Sequence, residues 1–331
     1  MIEEILPIPP IPDGLREAAQ RGTLIPFIGA GVSRIAGCPS WSELADQALA
    51  HHIVSGNFSH SQLAQIKHLN PRVKLSIALR LQKEFGGEID FCKLLHPAET
   101  ENNKKGKQLF GSLSLLGKTF VTTNYDKWLN EDLGMSELTK DQRAQKLASV
   151  RSRHRRIIYK VNDFKAENLQ PNTVIHLHGS VLDPMSMILT TQDYISHYSN
   201  DIPTRTNYKE NPVLTFLEFL FNTKTVLFVG YGLEELEILE YVILKTRGKS
   251  QKHSNEIKHF LIQGYFSHEF ELMKSLEKYF LDFGIQLLPY LRDQKDYEQL
   301  LDVLENFARL IPASSPMVLQ DFLEMEALLD G

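Results

Sequence analysis

Four short stretches carry the residue types that phosphate binding and proton transfer require: Gly29-Ala30-Gly31-Val32-Ser33, Thr122-Thr123-Asn124-Tyr125-Asp126, His176-Leu177-His178-Gly179-Ser180 and Gly230-Tyr231-Gly232. Gly29 and Gly31 let the backbone turn sharply and come close to a ligand with no Cβ in the way. The amides and helix start that follow suit a pyrophosphate, and Ser33 adds a hydroxyl. Taken alone, such a turn also serves as a plain strand–helix connection. His178 is the candidate base, because an unperturbed imidazole titrates near pH ~6.5. His176 shares its sheet face but lies further from the strand end, and reads as a hydrogen-bonded core residue. Asn124 offers an amide for a sugar hydroxyl or a water, although both it and Asp126 are also ordinary helix caps.

The elements that must position these groups are legible around them. Each stretch ends an apolar run: Thr23 to Ile28, Phe120 onward, Val174 onward, and Thr225 to Val229. All four motifs therefore fall at strand C-termini, the edge where open α/β sheets place ligands. From Ser42 to Leu116 helical spacing takes over, as in Val73, Ile77 and Leu81. That stretch, 42–116, is expected to be an inserted helical subdomain, with 101–107 as an exposed lysine-rich loop. Beyond it, strands are expected at 118–123, 157–161, 173–178, 186–190, 225–230, 257–263 and 284–288. Helices are expected at 126–133, 191–199, 210–222, 234–246, 267–281 and 294–310. The alternation implies an α/β fold: a Rossmann-like, mainly parallel sheet with helices on both faces. The boundaries expected are 1–41 for the first strand and turn, 42–116 for the insert, 117–312 for the rest of the sheet domain and 313–331 for a helical tail.

Composition narrows the class. The chain has 331 residues, enough for a sizeable core, with 42% hydrophobic and 23% charged residues. No apolar run approaches the roughly 20 residues of a bilayer span. The acidic, proline-rich start, Met1 to Pro12, is not a signal peptide, so the cytoplasm is the expected compartment. A net charge of −5 argues against direct nucleic-acid binding. The exception is the basic run at 151–156, read here as a solvated loop. Cys38 and Cys92 are far apart and read as buried apolar thiols.

In that order, the four motifs resemble the sirtuin superfamily, and more narrowly the sirtuin-like domains of bacterial anti-phage defence proteins. The resemblance covers roughly residues 20 to 265 and resides in the combination, since each motif alone is common. It implies NAD+ as substrate, with Asn124 and His178 catalytic. It also implies that Gly29, Ala30, Gly31, Ser33, Thr123, Asp126, Gly179, Gly230, Tyr231 and Gly232 bind the dinucleotide. Thr123 stands where deacylases usually have Gln, a departure shared with the defence-type relatives. Gly232 replaces a frequent Ser, which leaves a backbone contact there but no hydroxyl. Two cysteines cannot build the four-thiolate zinc ribbon of sirtuin deacylases, so no zinc is expected. The resemblance implies an NAD+ hydrolase that depletes the cofactor during phage infection. Homo-oligomerisation and a co-encoded HerA-type ATPase are the partners it suggests. A non-catalytic NAD or ADP-ribose binding module and a protein deacylase or ADP-ribosyltransferase stay open as alternatives. Residues 189–194 also resemble the defence-type relatives, and capping is their plainer role.

Overall fold

The computed structural model describes residues 4–96, 101–131, 154–199, 211–232 and 258–311. In chain order the elements begin with α1 (Asp13–Gln20), β1 (Leu24–Ile28), α2 (Ala30–Ile35), α3 (Trp41–Val54), α4 (His60–Gln65) and α5 (Pro71–Phe85). They continue with α6 (Phe91–Leu95), α7 (Glu101–Leu116), β2 (Thr119–Thr122), β3 (Arg156–Ile158), β4 (Thr173–His176) and α8 (Thr191–Tyr198). Last come α9 (Pro212–Thr223), β5 (Thr225–Val229), β6 (His259–Tyr265), α10 (Phe270–Asp282), β7 (Ile285–Leu291) and α11 (Gln299–Leu310).

The strands form one sheet in the order β3-β4-β2-β1-β5-β6-β7, every neighbouring pair parallel. This is the Rossmann-like α/β arrangement expected. The chain fills one half first, with β4 inserted between β2 and the edge strand β3, then crosses to β1's other side with β5. The switch point therefore lies at the C-terminal ends of β1, β2 and β5, where a crevice opens by geometry alone.

Strand residues alternate between two cores, as a period of two demands. Ile25 and Phe27 of β1 join Val226 and Phe228 of β5 on one face, under Leu217 and Phe221 of α9 and Met273 and Phe280 of α10. Leu24, Ile28, Leu227 and Val229 face the other way, onto Leu109, Phe110 and Leu113 of α7 and Val303, Leu304 and Phe307 of α11. Both faces being covered explains why β1, β2 and β4 are buried at every residue. A third cluster joins Leu44 and Leu49 of α3, Leu75 of α5 and Phe91 of α6 to Tyr125, Val181, Met187 and Leu189. This helical layer thus packs on the loops after β2 and β4.

Several expectations need correction. No strand forms at 186–190; Pro184–Ser186 is a 3-10 turn, and Met187 and Leu189 bury their side chains in the third cluster instead of pairing. The apolar character that suggested a strand serves packing against helices. Residues 101–107 are not a loop but the first turns of α7, whose later apolar residues anchor it to the sheet. In place of a helix at 126–133 there is one 3-10 turn, Trp128–Asn130, and 132–133 lie outside the described residues. The expected helix 234–246, the tail 313–331 and residues 151–153 of the basic run also lie outside them.

Arg155 shows why that basic run is not simply solvated. It is 5% exposed, stacks on the Phe120 ring at 4.6 Å, and donates from Nη1 to the carbonyls of Leu129 (2.8 Å) and Glu131 (2.7 Å). Its Nη2 donates to Ser114 Oγ at 2.8 Å. One side chain ties α7, the turn after β2 and the entry to β3. Arg155→Met removes all three donations and strands buried oxygens, and is expected to cost about 2–4 kcal/mol in urea unfolding. A cost below ~0.5 kcal/mol, the range of ordinary surface changes, would show that the clamp is dispensable.

Candidate functional site

The first three motifs converge on Asn124. Its Nδ2 donates to the Gly29 carbonyl (2.9 Å) and to Ser33 Oγ (2.8 Å). Ser33 Oγ passes its own proton to Asp126 Oδ2 at 2.6 Å, and Asp126 Oδ1 accepts from the Trp128 amide at 3.0 Å. The Asn124 backbone is held on both sides. Its N–H donates to Thr122 Oγ1 (3.0 Å), and its carbonyl accepts from His176 Nδ1 (2.8 Å). One atom is left over: Asn124 Oδ1 is buried with no partner among the described residues, in a residue only 8% exposed. Because the two Nδ2 donations fix the amide's orientation, this acceptor is held open for a donor that comes from outside the network.

His176 has the structural role expected of it. Its ring is buried, which keeps its pKa below the usual imidazole range, so it is neutral. A neutral ring donates at one nitrogen only. With Nδ1–H on the Asn124 carbonyl, Nε2 accepts; Asn130 Oδ1 is placed 3.0 Å away, and a half-turn of that amide, which puts its NH2 in the same place, supplies the donor.

The glycine turn packs on the fourth motif. Gly31 N–H donates to the Gly230 carbonyl at 2.9 Å, and Gly29 N–H to the Val229 carbonyl at 2.9 Å. A Cβ on Gly31 would lie 2.9 Å from the Gly230 oxygen, so the approach requires glycine. Gly230 itself has φ +68°, and a Cβ there would meet Val32 at 2.6 Å. Tyr231 turns inward, edge-on to Phe27 and Phe228, with its hydroxyl donating to Thr123 Oγ1 at 3.3 Å. Gly232 is exposed, and among the described residues a Cβ there would touch nothing. Two expectations change accordingly. The Ser33 proton is committed to Asp126, and the Gly31 amide to Gly230, so neither is presented to a phosphate in this closed arrangement. Asp126 is both cap and positioning group. Glu234, Glu235 and Glu237 lie outside the described residues.

His178 follows β4, on the turn that Gly179 makes possible. Gly179 has φ +85°, and a Cβ would sit 2.1 Å from the Ser186 carbonyl oxygen. His178 keeps a partly exposed edge, yet protein surrounds its ring. Tyr194 lies 6.0 Å away centroid to centroid, His197 6.0 Å and Tyr198 5.8 Å. Its Nε2 is 2.7 Å from Tyr198 Oη. Burial, then the His197 ring and the Arg72 guanidinium, push its pKa down to about 3. Arg72 reaches over from α5, its guanidinium 4.0 Å from the Tyr194 ring centre. The Thr190–Asp193 capping box starts α8 as expected, each side chain serving the other's backbone N–H (2.9 and 3.1 Å).

Tyr198, His197 and Arg72 were not among the residues read from the sequence as functional. A signal existed: Tyr194, His197 and Tyr198 stand at i, i+3 and i+4, one side of a helix. Cys38 is buried and donates to the Leu95 carbonyl at 3.1 Å, while half-buried Cys92 accepts from Lys127 Nζ at 2.9 Å. Among the described residues no group of three or more His, Cys, Asp or Glu side chains is arranged to hold a metal, and no helix is long and apolar enough to cross a membrane. A groove of about 990 Å³ runs between α2, α3 and α6, and takes no residue from the Asn124 or His178 clusters.

The profile of the SIR2-like domain matches residues 118–284 of this chain. The chain is also similar to a protein described as defense-associated sirtuin 2 from Bacillus subtilis, 24% identical over 247 residues. That alignment covers 72% of this chain and 21% of the relative, so the chain spans about a fifth of the relative's length.

Two measurements test the site's architecture. Gly179→Ala, which needs both a left-handed backbone and space that Ser186 occupies, is expected to abolish the native fold around β4, read as loss of the cooperative thermal transition; a variant melting like wild type would refute the turn. His178 and His197 are held near 3 and 4, below the ~6.5 of an unfolded histidine, so the unfolded chain binds more protons in that window. Their stability contribution is complete above pH ~6.5 and is lost as the pH falls toward 4. Thermal midpoints should therefore drop from pH 7.5 to pH 5, and less steeply in His197→Gln; equal slopes would remove His197 from the cluster's titration.

Proposed function

The chain belongs to the SIR2-like domain family, and from that membership we propose that it hydrolyses NAD+ to nicotinamide and ADP-ribose as the effector of a bacterial anti-phage defence system. SIR2-like domains use NAD+, and the described residues suit that substrate. A buried acceptor is left open at Asn124 Oδ1, beside a glycine turn too tight for a Cβ, at the sheet's switch point. The observation that carries the reading is the single network of Asn124, Gly29, Ser33 and Asp126, which brings motifs almost a hundred residues apart into hydrogen-bond contact.

In the proposed reaction the bond between nicotinamide and the ribose C1′ breaks, and its electron pair leaves with nicotinamide. A water adds to C1′ and gives up one proton, so the products are nicotinamide, ADP-ribose and H⁺. Asn124 Oδ1 accepts from that water or from a ribose hydroxyl. Neutral His178 is the acceptor for the proton, which reaches it from the water through a ribose hydroxyl bound at its ring nitrogen. A pKa near 3 in the closed packing makes it a weak base, and hydration on opening would restore it toward the ordinary range. The Gly31–Gly230 contact must also open before a pyrophosphate can use the Gly31 amide.

The defence role draws on the relative's description as a defense-associated sirtuin. Constitutive NAD+ loss would kill the host, so a partner or assembly must govern the activity. A homo-oligomer and a co-encoded HerA-type ATPase are the partners proposed, and the cytoplasm, where NAD+ resides, is the proposed compartment.

Nicotinamide release from NAD+ by the purified chain, alone and with the co-encoded ATPase, tests the proposal. Release with stoichiometric ADP-ribose is expected, reduced at least about 100-fold in Asn124→Ala and in His178→Ala. NAD+ binding without release in either setting would leave a binding module in its place.

A further inference from the structure

The end of α8 is registered against the end of β4 at two successive positions. The His197 ring stands edge-on to His178 at 6.0 Å, and the next residue, Tyr198, sets its hydroxyl 2.7 Å from Nε2 of His178. Other contacts already fix this helix end. Asn211 Nδ2 donates to the carbonyls of His197 (2.9 Å) and Ser199 (2.7 Å). His197 packs edge-on to Phe164 at 6.4 Å, and Arg72 lies over Tyr194 at 4.0 Å. The phenol is thus presented to His178 by a scaffold that does not depend on the hydrogen bond it makes.

The chemistry of that bond is restrictive. A neutral His178 meets the Tyr198 hydroxyl in one of two tautomers, and the one that makes Nε2 a base carries the ring proton on Nδ1, with the phenol donating and Nε2 accepting. Nε2 has a single lone pair in the ring plane. A hydroxyl or water that is to give its proton to Nε2 must stand where the Tyr198 oxygen stands, and the two cannot be there together. We propose that Tyr198 is a substrate-mimicking cap, a positioning residue that fixes the His178 tautomer with Nε2 as acceptor and must be displaced by a hydroxyl of the bound dinucleotide before His178 can act. This role rests on the hydrolase function proposed above, and it assigns the cap to the ribose side of the substrate.

Tyr198→Phe keeps the ring and its packing and removes only the hydroxyl. In the full chain labelled with ¹⁵N-histidine, the His178 Nε2 resonance, assigned as the one missing from His178→Ala, should move downfield when the phenol is gone. In NAD+ turnover the variant should show KM lowered about two- to tenfold, the effect of one buried hydrogen bond no longer displaced, with kcat unchanged. An unmoved resonance shows that the bond does not exist and overturns the proposal. An unchanged KM overturns it as well. A kcat lowered as in His178→Ala makes Tyr198 a proton relay and not a cap, which also overturns it. If neither protein turns NAD+ over, the hydrolase reading fails on its own, and calorimetric titration with ADP-ribose decides the cap separately. Binding two- to tenfold tighter in Tyr198→Phe upholds it, and equal binding overturns it.

Discussion

The amide of Asn124 is the joint on which the site depends. Two donations from one Nδ2 reach the turn after β1, and its own backbone lies at the end of β2. Its carbonyl takes the His176 proton from the end of β4. Three parallel strands separated widely in sequence are thus registered at their C-terminal ends by one buried residue. Each such bond contributes on the order of 1 kcal/mol net, but a buried group deprived of its partner costs about 1–3 kcal/mol. The joint is therefore stiff because any slippage would strand several polar atoms at once. Against that background the open Oδ1 stands out: the described residues satisfy every other polar atom of Asn124 and leave this one.

Around the joint, the groups suited to a dinucleotide are mostly engaged with one another. Gly31 is bound to Gly230, Ser33 to Asp126, Thr123 to Tyr231, and His178 to Tyr198. Each pair is satisfied within the protein, so a ligand gains from these groups only by exchanging an existing hydrogen bond for a new one. Such exchange is close to neutral per bond. Net binding must then come from the open acceptor, from apolar contact and from charge. Under the hydrolase function proposed above, a self-satisfied site is a physical means of keeping affinity low until something shifts the packing.

That packing reaches His178 from two directions. Helix α8 delivers Tyr194, His197 and Tyr198 from beyond β4, and α5 delivers Arg72 from the helical layer. The same layer contacts the loops after β2 and β4 through Tyr125, Val181 and Met187. The imidazole's low pKa is a consequence: burial of most of the ring, another histidine ring and a guanidinium each disfavour its charged form.

How much of this was legible depends on whether a residue's role is local. Strand ends were readable because alternation between two buried faces forces apolar runs, and the chemistry begins where those runs stop, as at Ile28-Gly29 and Thr122-Thr123. The sequence alone thus determined a parallel α/β sheet, the placing of its four motifs on one edge, and the candidacy of Asn124 and His178. It misjudged 186–190, 101–107 and Arg155, because apolarity or charge does not say whether the partner is a strand, a helix or a carbonyl. Only the tertiary structure decided that Asn124 and Ser33, 91 positions apart, share a hydrogen bond, and that a tyrosine 20 positions on occupies Nε2 of His178. Local patterning sets which face of an element is buried, whereas which polar atoms meet is set by the packing of whole elements, and the chain does not write that down in any one segment.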